Sequence, residues 1–501
     1  RAGAPPRLEP HSPPPTASTP MGKCADLCCA GHADPEIRAF YYAQPGRAVL
    51  FISFNFLSVG ILALANEQAG CVADADGSTA DCDKRVYGAR PSSMLGLMAT
   101  LGSIITSLFL PYAGAIVDYT NHRLQFGRGC AVVLVLVNAV QAALFLETWF
   151  IFAILQAVIA SGAFLGHSIA MWAYFNDVCR GDDEVVKTTV ATARFHELLG
   201  MLSYIVLVVA VTLPLGVGDV ATARIGQGVA AAVGAVALAR SWTLFAPRPK
   251  RHSLPEGSSL WFAGFVQLWD TWLELGRSNP DLRTLLVSIM FLDGAIASFT
   301  VLAITYLTQQ LGVPGGLSVA FVGGTLVFSL PGTVLCRAVA RRVGHRRNLM
   351  LSSAYWIVIT GAFIAIFSGP RYAQYVYGAM PFFGVGYGWV YPAMNGFFAA
   401  LVPPGRGVEL WGWNLLAAAL LAWLPPLSFV VLNEVLGDMR LGFTMLIAFL
   451  AIGLAITGVI KIDVYQGPKA DAAGKGASSE SSHAGVNDAS VNGPAVTPVA
   501  A

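Results

Sequence analysis

The sequence predicts an all-α membrane protein in which twelve transmembrane helices form two bundles of six. Of its 501 residues, 55% are hydrophobic and 12% are charged, whereas an average soluble domain contains roughly 25% charged residues. The apolar residues are concentrated in stretches long enough to cross a bilayer. These stretches fall into two sets of six on either side of a polar linker. Composition, stretch length and twofold grouping together favour a polytopic membrane protein over a soluble one.

The length of each apolar stretch locates the spans, because a helix needs about 20 mostly apolar residues to cross a hydrocarbon core roughly 30 Å thick. The first set comprises 46–66, 92–117, 129–146, 149–174, 195–215 and 223–244. The second set comprises 285–309, 317–340, 349–369, 373–401, 409–432 and 441–463.

These spans define the expected domain organisation. We predict a largely disordered cytoplasmic tail, a first six-helix bundle, a cytoplasmic linker with an amphipathic helix, a second six-helix bundle and a disordered cytoplasmic tail. Their respective boundaries are 1–45, 46–244, 245–284, 285–464 and 465–501. Cytoplasmic loops are enriched in Lys and Arg, and placing both termini in the cytoplasm puts most of the basic loop residues on that side.

Charge and motifs narrow the function. The chain has 31 basic and 29 acidic residues, so it lacks the basic footprint of a nucleic-acid-binding protein. It contains no Gly-Lys-Ser/Thr phosphate loop and neither a His-Glu-x-x-His nor a Gly-x-Ser-x-Gly motif, which argues against an ATP-driven pump and a membrane enzyme. We expect no catalytic activity, cofactor or metal, and the predicted partners are the bilayer and a small-molecule substrate.

Two segments outside the spans have distinctive patterns. The outer loop 67–91 contains Cys71 and Cys82, which an oxidising lumen or exterior would allow to form a disulfide. In the linker, apolar residues on one helical face oppose charged ones, which predicts a helix lying at the membrane surface. The apolar face comprises Trp261, Phe265, Leu268, Trp272 and Leu275.

A similar loop follows the second span of each set. The first copy includes Gly114, Asp118 and Arg123, and the second occupies 337–347, with arginine where Gly and Asp are expected. Both resemble the loop signature of the major facilitator superfamily, and their equivalent positions indicate an internal repeat. The alternative is that both loops serve only to orient the chain in the membrane.

The superfamily resemblance implies gating contacts that latch the outward-facing state. We expect Gly114 to permit close helix packing, Asp118 to cap a facing helix and Arg123 to pair across the interface between the halves. A second expected gate is a salt-bridge cluster at the cytoplasmic entrance of the fifth span, comprising Arg194, His196 and Glu197.

Several segments resemble a narrower family, the vacuole effluxers related to autophagy. They are the run Glu36-Ile-Arg-Ala-Phe-Tyr-Tyr before span 1, residues 64–70, Phe291-Leu-Asp-Gly in span 7, and residues 397–412 followed by Leu-Pro-Pro-Leu at 424–427. The resemblance implies alternating-access efflux of neutral amino acids from a vacuole or lysosome to the cytosol during autophagic recycling. The alternatives are transport of another small solute, such as a sugar, peptide or organic anion, and a sensor that does not transport.

Polar residues inside the spans are the candidates for the transport pathway. Asp293 in span 7 is the sharpest, because a charged group at a helix centre costs about 2.5–3.5 kcal/mol. It would hold a substrate amine or carry a coupling proton, and the alternative is a structural hydrogen bond. His167 in span 4 is either a proton relay or a buried neutral histidine. Further cavity candidates, each also explicable as a helix–helix hydrogen bond, are Asn55, Tyr387, Tyr391 and Asn395.

Overall fold

The computed structural model describes residues 34–72, 78–79, 82–179, 183–251, 253–254, 259–403 and 406–464. Most of both predicted tails, 1–33 and 465–501, therefore lies outside the described residues. Within the described ranges the chain is helical between its loops, and the β-structure is an isolated bridge between Val86 and Ala89.

The first half contains six helices, α1 to α6. Helix α4 is built from three consecutive segments, the middle one a π-helical turn, and α2 is preceded by the short 3₁₀ turn Pro91–Ser93. The bounds are Pro35–Ala69 for α1, Met94–Tyr119 for α2, Arg123–Gln141 for α3, Trp149–Leu155 with Gln156–Ala160 and Ser161–Val178 for α4, Asp183–Thr212 for α5 and Asp219–Leu244 for α6.

The linker contains α7, and the second half contains α8 to α13. Helix α8 ends in a π-helical turn, a 3₁₀ helix at Pro370–Ala379 precedes α11, and α12 is interrupted by a short turn. The bounds are Leu260–Ser278 for α7, Pro280–Thr305 with Tyr306–Gln310 for α8, Gly315–Val343 for α9, His345–Ile366 for α10, Met380–Leu401 for α11, Gly407–Leu420 with Leu424–Leu436 for α12 and Met439–Val459 for α13.

Helix α1 begins well before the predicted span, because its start is determined by capping as well as by hydropathy. The Asp34 side chain accepts a hydrogen bond from the Glu36 amide at 2.8 Å, and Pro35 occupies the first helical position, where its missing N–H costs nothing. The helix ends at Gly70, whose φ of 69° suits glycine. Residues 35–45, which hydropathy alone assigns to the tail, are therefore helical.

The structure confirms twelve transmembrane helices. Eleven helical segments of the described chain are long and apolar enough to cross a membrane. The remaining one, α11, has 22 residues and none that is charged, and its Gly, Tyr, Trp and Pro residues reduce its hydropathy. It packs against α9 and α10, so it lies within the second bundle.

The two halves repeat one packing arrangement. Helix α1 contacts α5 and α6, and its equivalent α8 contacts α12 and α13. Helix α3 contacts α4 and α6, and its equivalent α10 contacts α11 and α13. Helix α2 contacts α4, and its equivalent α9 contacts α11. Between the halves, α5 packs on α9 and α2 packs on α12, and each of these pairs becomes the other when the halves are exchanged. The halves are therefore related by an approximate twofold rotation, as expected for two internal repeats that pack against each other.

We call the side on which α1 begins and α13 ends the termini face, and the opposite side the loop face. On the loop face, Asn433 of α12 donates hydrogen bonds to the Ser92 and Ser93 hydroxyls at 2.8 and 2.9 Å. The Glu434 carboxylate accepts the Arg90 amide at 2.7 Å. These contacts join α12 to the start of α2 and close the loop face.

A second contact on the loop face involves the disulfide loop. Cys71 and Cys82 form a disulfide, and the loop between them reaches the end of α8. The Ser78 hydroxyl donates to the Gln309 carbonyl at 3.0 Å, and the Thr79 hydroxyl donates to the Gln309 side chain at 2.8 Å. A loop of the first half is thus attached to the second half.

Helix α7 contacts both halves on the termini face. Trp261 stacks on Tyr112 of α2 with ring centroids 4.2 Å apart, and Trp272 stacks on Trp413 of α12 at 5.1 Å. The predicted apolar face is divided, because Leu275 is buried whereas Trp261 is 63% exposed. The helix therefore uses part of this face for packing and leaves the rest uncovered.

Candidate functional site

Two adjoining cavities lie between the halves. Cavity A has a volume of about 230 Å³ and cavity B about 330 Å³. Phe51 and Phe54 of α1 and Ala297 and Val301 of α8 line both cavities. Since α1 and α8 are equivalent helices of the repeat, the shared wall lies on the approximate twofold axis, where transporters of this architecture bind substrate.

Cavity A is mainly apolar, and Asp293 is the one charged residue in its lining among the described residues. This side chain is 5% exposed, and no Lys, Arg or His of the described chain lies within salt-bridge distance of it. Its carboxyl group interacts with the Tyr391 hydroxyl, although that hydroxyl is outside hydrogen-bond geometry with any described group. A buried carboxyl group thus lies in a mainly apolar wall, with the Tyr391 hydroxyl beside it.

Cavity B contains most of the other predicted pathway residues. Asn55, Tyr387 and Tyr391 line it. The Tyr387 hydroxyl forms a 2.9 Å hydrogen bond with Thr300 and donates to the Ile296 carbonyl at 3.3 Å. These contacts hold the Tyr387 ring, which stacks on Tyr391.

A buried ion cluster adjoins cavity B and contains a residue that sequence reasoning missed. Arg47 of α1 and Arg194 of α5 each lie 2.6 Å from a different oxygen of the Glu197 carboxylate. The side chains of Arg47 and Glu197 are 2% and 9% exposed, whereas that of Arg194 is 23% exposed. Arg194 and Glu197 line cavity B. Because α5 begins at Asp183, both residues lie in the interior of the helix and not at its entrance, where the sequence predicted them.

Arg47 also contacts residues that line cavity A. It donates to the Ser168 hydroxyl at 3.2 Å and to the Gln44 side chain at 3.3 Å, and its guanidinium lies over the Phe164 ring. Ser168 and Phe164 both line cavity A. The signal for Arg47 was present in the sequence as a single arginine beside a long apolar run.

Apart from the residues of the predicted latch, three predicted residues lie away from both cavities. His167 is fully buried and accepts a hydrogen bond from the Trp242 indole at Nε2, 3.1 Å away, so a neutral ring carries its proton on Nδ1. The Asn395 amide donates to the Tyr391 carbonyl at 2.8 Å. His196 Nδ1 lies 2.8 Å from the Thr192 carbonyl oxygen.

The predicted latch has a different arrangement from the expected one. Arg123 is 1% exposed and pairs with Asp177 at 2.5 Å, within the first half, because the start of α3 lies beside the end of α4. The Asp118 carboxylate lies 3.7 Å from the guanidinium group of Arg251 in the linker. Arg251 also pairs with the Asp177 carboxylate, at 2.8 Å. A Cβ atom at Gly114 would meet no atom within 4 Å, so close packing does not require this glycine.

The second copy of the loop contains a cap that the sequence did not reveal. Gly344 has a φ of 85° and ends α9. The Asp463 carboxylate, beyond the end of α13, accepts the His345 and Arg346 amides at 3.1 and 2.6 Å. Asp463 therefore satisfies the N-terminus of α10, in a position that follows from the fold and not from the local motif.

A comparison with protein families identifies the family of this chain. The model of the vacuole effluxer Atg22-like family matches residues 196–471. The chain belongs to this family. No curated protein matches the chain. Membership confirms the resemblance inferred from the sequence and identifies a multi-pass membrane protein of a transporter family.

Several solved structures of membrane transporters have folds similar to that of this chain. An auto-inhibited POT family peptide transporter has a TM-score of 0.63 at 13% identity, covering 86% of this chain and 99% of that chain. The nucleoside transporter NupG has a TM-score of 0.55 at 14% identity, with coverage of 84% and 98%. A bacterial homologue of the iron transporter ferroportin, in an inward-facing state, has a TM-score of 0.51 at 18% identity, with coverage of 81% and 98%. The chain therefore has the major facilitator fold.

Proposed function

We propose that this vacuole-effluxer-family transporter moves neutral amino acids from a vacuole or lysosome to the cytosol by alternating access. The observation that supports this substrate is Asp293, a buried carboxyl group in the apolar wall of cavity A. An ionised carboxylate there costs about 2.5–3.5 kcal/mol when alone in a membrane. A substrate ammonium group would offset that cost.

The size and walls of the cavities support a small substrate with an uncharged side chain. Their volumes of about 230 and 330 Å³ are near the lower limit of roughly 300 Å³ for sites that hold drug-sized ligands. Leu50, Phe164 and Leu415 are among the apolar residues that line cavity A. An aliphatic or aromatic side chain would be stabilised there by burial of apolar surface.

The orientation in this proposal puts the termini face in the cytosol and the loop face in the lumen. The disulfide between Cys71 and Cys82 suits the oxidising side of a membrane, which supports a loop face directed away from the cytosol. Closure of the loop face then corresponds to a conformation that cannot take up substrate from the lumen.

The proposal is tested by flux into proteoliposomes that contain the full chain. Radiolabelled leucine is the probe, with and without a pH gradient, and we expect uptake by the wild-type protein. Asp293→Asn should abolish flux or remove its dependence on the pH gradient, depending on whether the carboxyl group holds the amine or carries a coupling proton.

The matched control is Asp281→Asn on the same helix. The Asp281 carboxylate accepts a hydrogen bond from the Lys461 amide outside both cavities, so this substitution should leave flux unchanged. Absence of flux for every neutral amino acid would refute the proposal in favour of another solute or a sensor. Unchanged flux in Asp293→Asn would remove this residue from the mechanism.

A further inference from the structure

Helix α7 has an apolar surface that the described residues leave largely uncovered. Six large apolar side chains of this helix are 41–68% exposed, and they include two tryptophans and two phenylalanines. At 3.6 residues per turn, all six lie within about 140° of the helix circumference. We call this surface the aromatic arc. Its members are Trp261, Phe262, Phe265, Val266, Trp269 and Leu273.

Two contacts with α2 fix the direction in which the aromatic arc points. Trp261, at one edge of the arc, stacks on Tyr112 with ring centroids 4.2 Å apart. Gln267 lies on the side of α7 away from the arc, and its side-chain oxygen accepts a 3.1 Å hydrogen bond from the Tyr119 hydroxyl. Tyr119 ends α2 at the termini face, and Tyr112 lies about 10 Å deeper along that helix. The arc is therefore turned toward the middle of the bilayer.

The side of α2 that meets the arc is its lipid-facing side. Exposed apolar residues recur along α2 at intervals of three or four positions, and Tyr112 occupies the next position of this stripe. The stripe comprises Leu97, Leu101, Ile104 and Leu108. The α2 residues that line cavity A, such as Gly102 and Thr106, lie on the opposite side of the helix. The arc thus continues an apolar surface on the outside of the first bundle.

The charges of α7 argue against attraction by acidic lipid headgroups. The helix contains two acidic residues, Asp270 and Glu274, and one basic residue, Arg277, so its net charge is −1. Helices that are drawn to anionic lipids have polar faces rich in Lys and Arg. Contact between α7 and the bilayer therefore depends on its apolar side chains.

We propose that the aromatic arc of α7 inserts into the bilayer leaflet on the termini face, at the boundary between headgroups and acyl chains. Tryptophan and phenylalanine are typical of helices buried about 5–10 Å into this boundary. Trp261 attaches the helix to α2 of the first half, and the stack of Trp272 on Trp413 attaches it to α12 of the second half. The inserted helix therefore holds the termini-face ends of both bundles against the leaflet, whichever solute the protein transports.

The test compares one position on the arc with one on the polar side. Phe265→Cys and Asp270→Cys, about 140° apart on the helix, are labelled with the dye NBD in the full chain and reconstituted into phosphatidylcholine vesicles. The native cysteines described by the structure are buried or oxidised, and those of the tail are replaced by serine. Quenching is measured with lipids that carry a doxyl group at carbon 5 of the acyl chain. We expect roughly twofold or greater excess quenching at position 265, because the two sides of a helix differ in depth by about 10 Å.

Two controls separate insertion from misfolding and from charge attraction. Thermal unfolding of both labelled chains should match that of the unlabelled protein, and Val266→Cys supplies a second arc position if Phe265→Cys unfolds early. Because α7 has a negative net charge, adding phosphatidylserine to the vesicles should leave quenching at position 265 unchanged.

Three results would overturn the proposal. Equal quenching at positions 265 and 270 would show that α7 has another orientation. A folded protein without quenching at position 265 would show that another part of the chain or a second copy covers the arc. Quenching that requires phosphatidylserine would show that headgroup charge, and not the aromatic arc, brings α7 to the membrane.

Discussion

Asn433→Ala should open the loop face. Asn433 is 1% exposed and donates two hydrogen bonds across the interface between the halves, to Ser92 and Ser93. When the loop face opens, water can replace these partners. The substitution therefore removes stabilisation from the closed conformation only.

The magnitude follows from the two bonds. Each neutral hydrogen bond contributes about 0.5–1.5 kcal/mol net, so losing both destabilises the closed loop face by about 1–3 kcal/mol. Because 1.4 kcal/mol is a factor of ten in an equilibrium constant, the ratio of open to closed molecules should rise roughly 5- to 150-fold.

The assay is modification of a single cysteine in the cavity. Ser103 lines cavity A, and Ser103→Cys is labelled by a membrane-impermeant maleimide added from the loop face. Cys130, Cys179 and Cys336 are buried and the loop pair is oxidised, while the tail cysteines are replaced by serine. A cysteine at the exposed Tyr87 reports which side of the membrane the reagent reaches.

The control is Ser428→Ala on the same helix. Its hydroxyl donates to the Leu424 carbonyl within α12, so the substitution removes a hydrogen bond without touching the interface. We expect parental labelling in this control and faster labelling in Asn433→Ala. Equal labelling rates in Asn433→Ala and the parent would refute the assignment of this contact as a lock.

Three other perturbations test separate contacts. Asp118→Arg places a cation beside Arg251 and should change the labelling of the cavity cysteine, whereas unaltered labelling would count against a latch at this loop. Glu197→Gln leaves the buried Arg47 guanidinium without its carboxylate and should cost about 3–5 kcal/mol. Adding Arg47→Gln should recover part of this loss in thermal unfolding, and additive losses would contradict a coupled cluster. Gln309→Ala removes one side-chain hydrogen bond to the disulfide loop and should raise the labelling rate of the cavity cysteine less than tenfold. A larger rise than in Asn433→Ala would be inconsistent with the structure.

The fold was predictable because bilayer thickness imposes a length on every span. The sequence located all twelve helices, including α11, whose 22 residues include none that is charged. It misplaced the start of α1, because the cap formed by Asp34 and Pro35 extends a helix into a segment of ordinary polarity. Hydropathy reports the part of a helix within the hydrocarbon, and capping determines where the helix begins.

The candidate site was predictable only in part. Asp293 was identified because a lone acid in an apolar span requires an explanation. Arg47 was missed because it stood at the edge of the predicted span, where a long basic side chain normally reaches water. Its burial depends on the early start of α1, and its partner Glu197 is 150 positions away in sequence, so the cluster exists only in the folded chain.

Asp219 illustrates a further limit of local patterns. From the sequence it is an acidic residue at the start of α6, where it would favour the N-terminus of its own helix. In the structure its carboxylate lies beside Gly315 at the start of α9, in the other half. The residue type indicates a preference for a helix N-terminus, but only the tertiary fold shows which helix the carboxylate approaches.

The division of strong and weak contacts suggests how the halves move. The buried ion pair between Arg47 and Glu197 joins α1 to α5 within one half, and separating such groups costs several kcal/mol. The loop-face contacts between the halves include neutral hydrogen bonds such as those of Asn433 and Thr79, each worth about 1 kcal/mol. Reversing a two-state equilibrium from 1:99 to 99:1 needs about 5.5 kcal/mol, which the loss of a few such bonds and tighter substrate binding to one of the two conformations can supply together. Each half is therefore expected to move as a rigid body, with the interface as the element that breaks and re-forms.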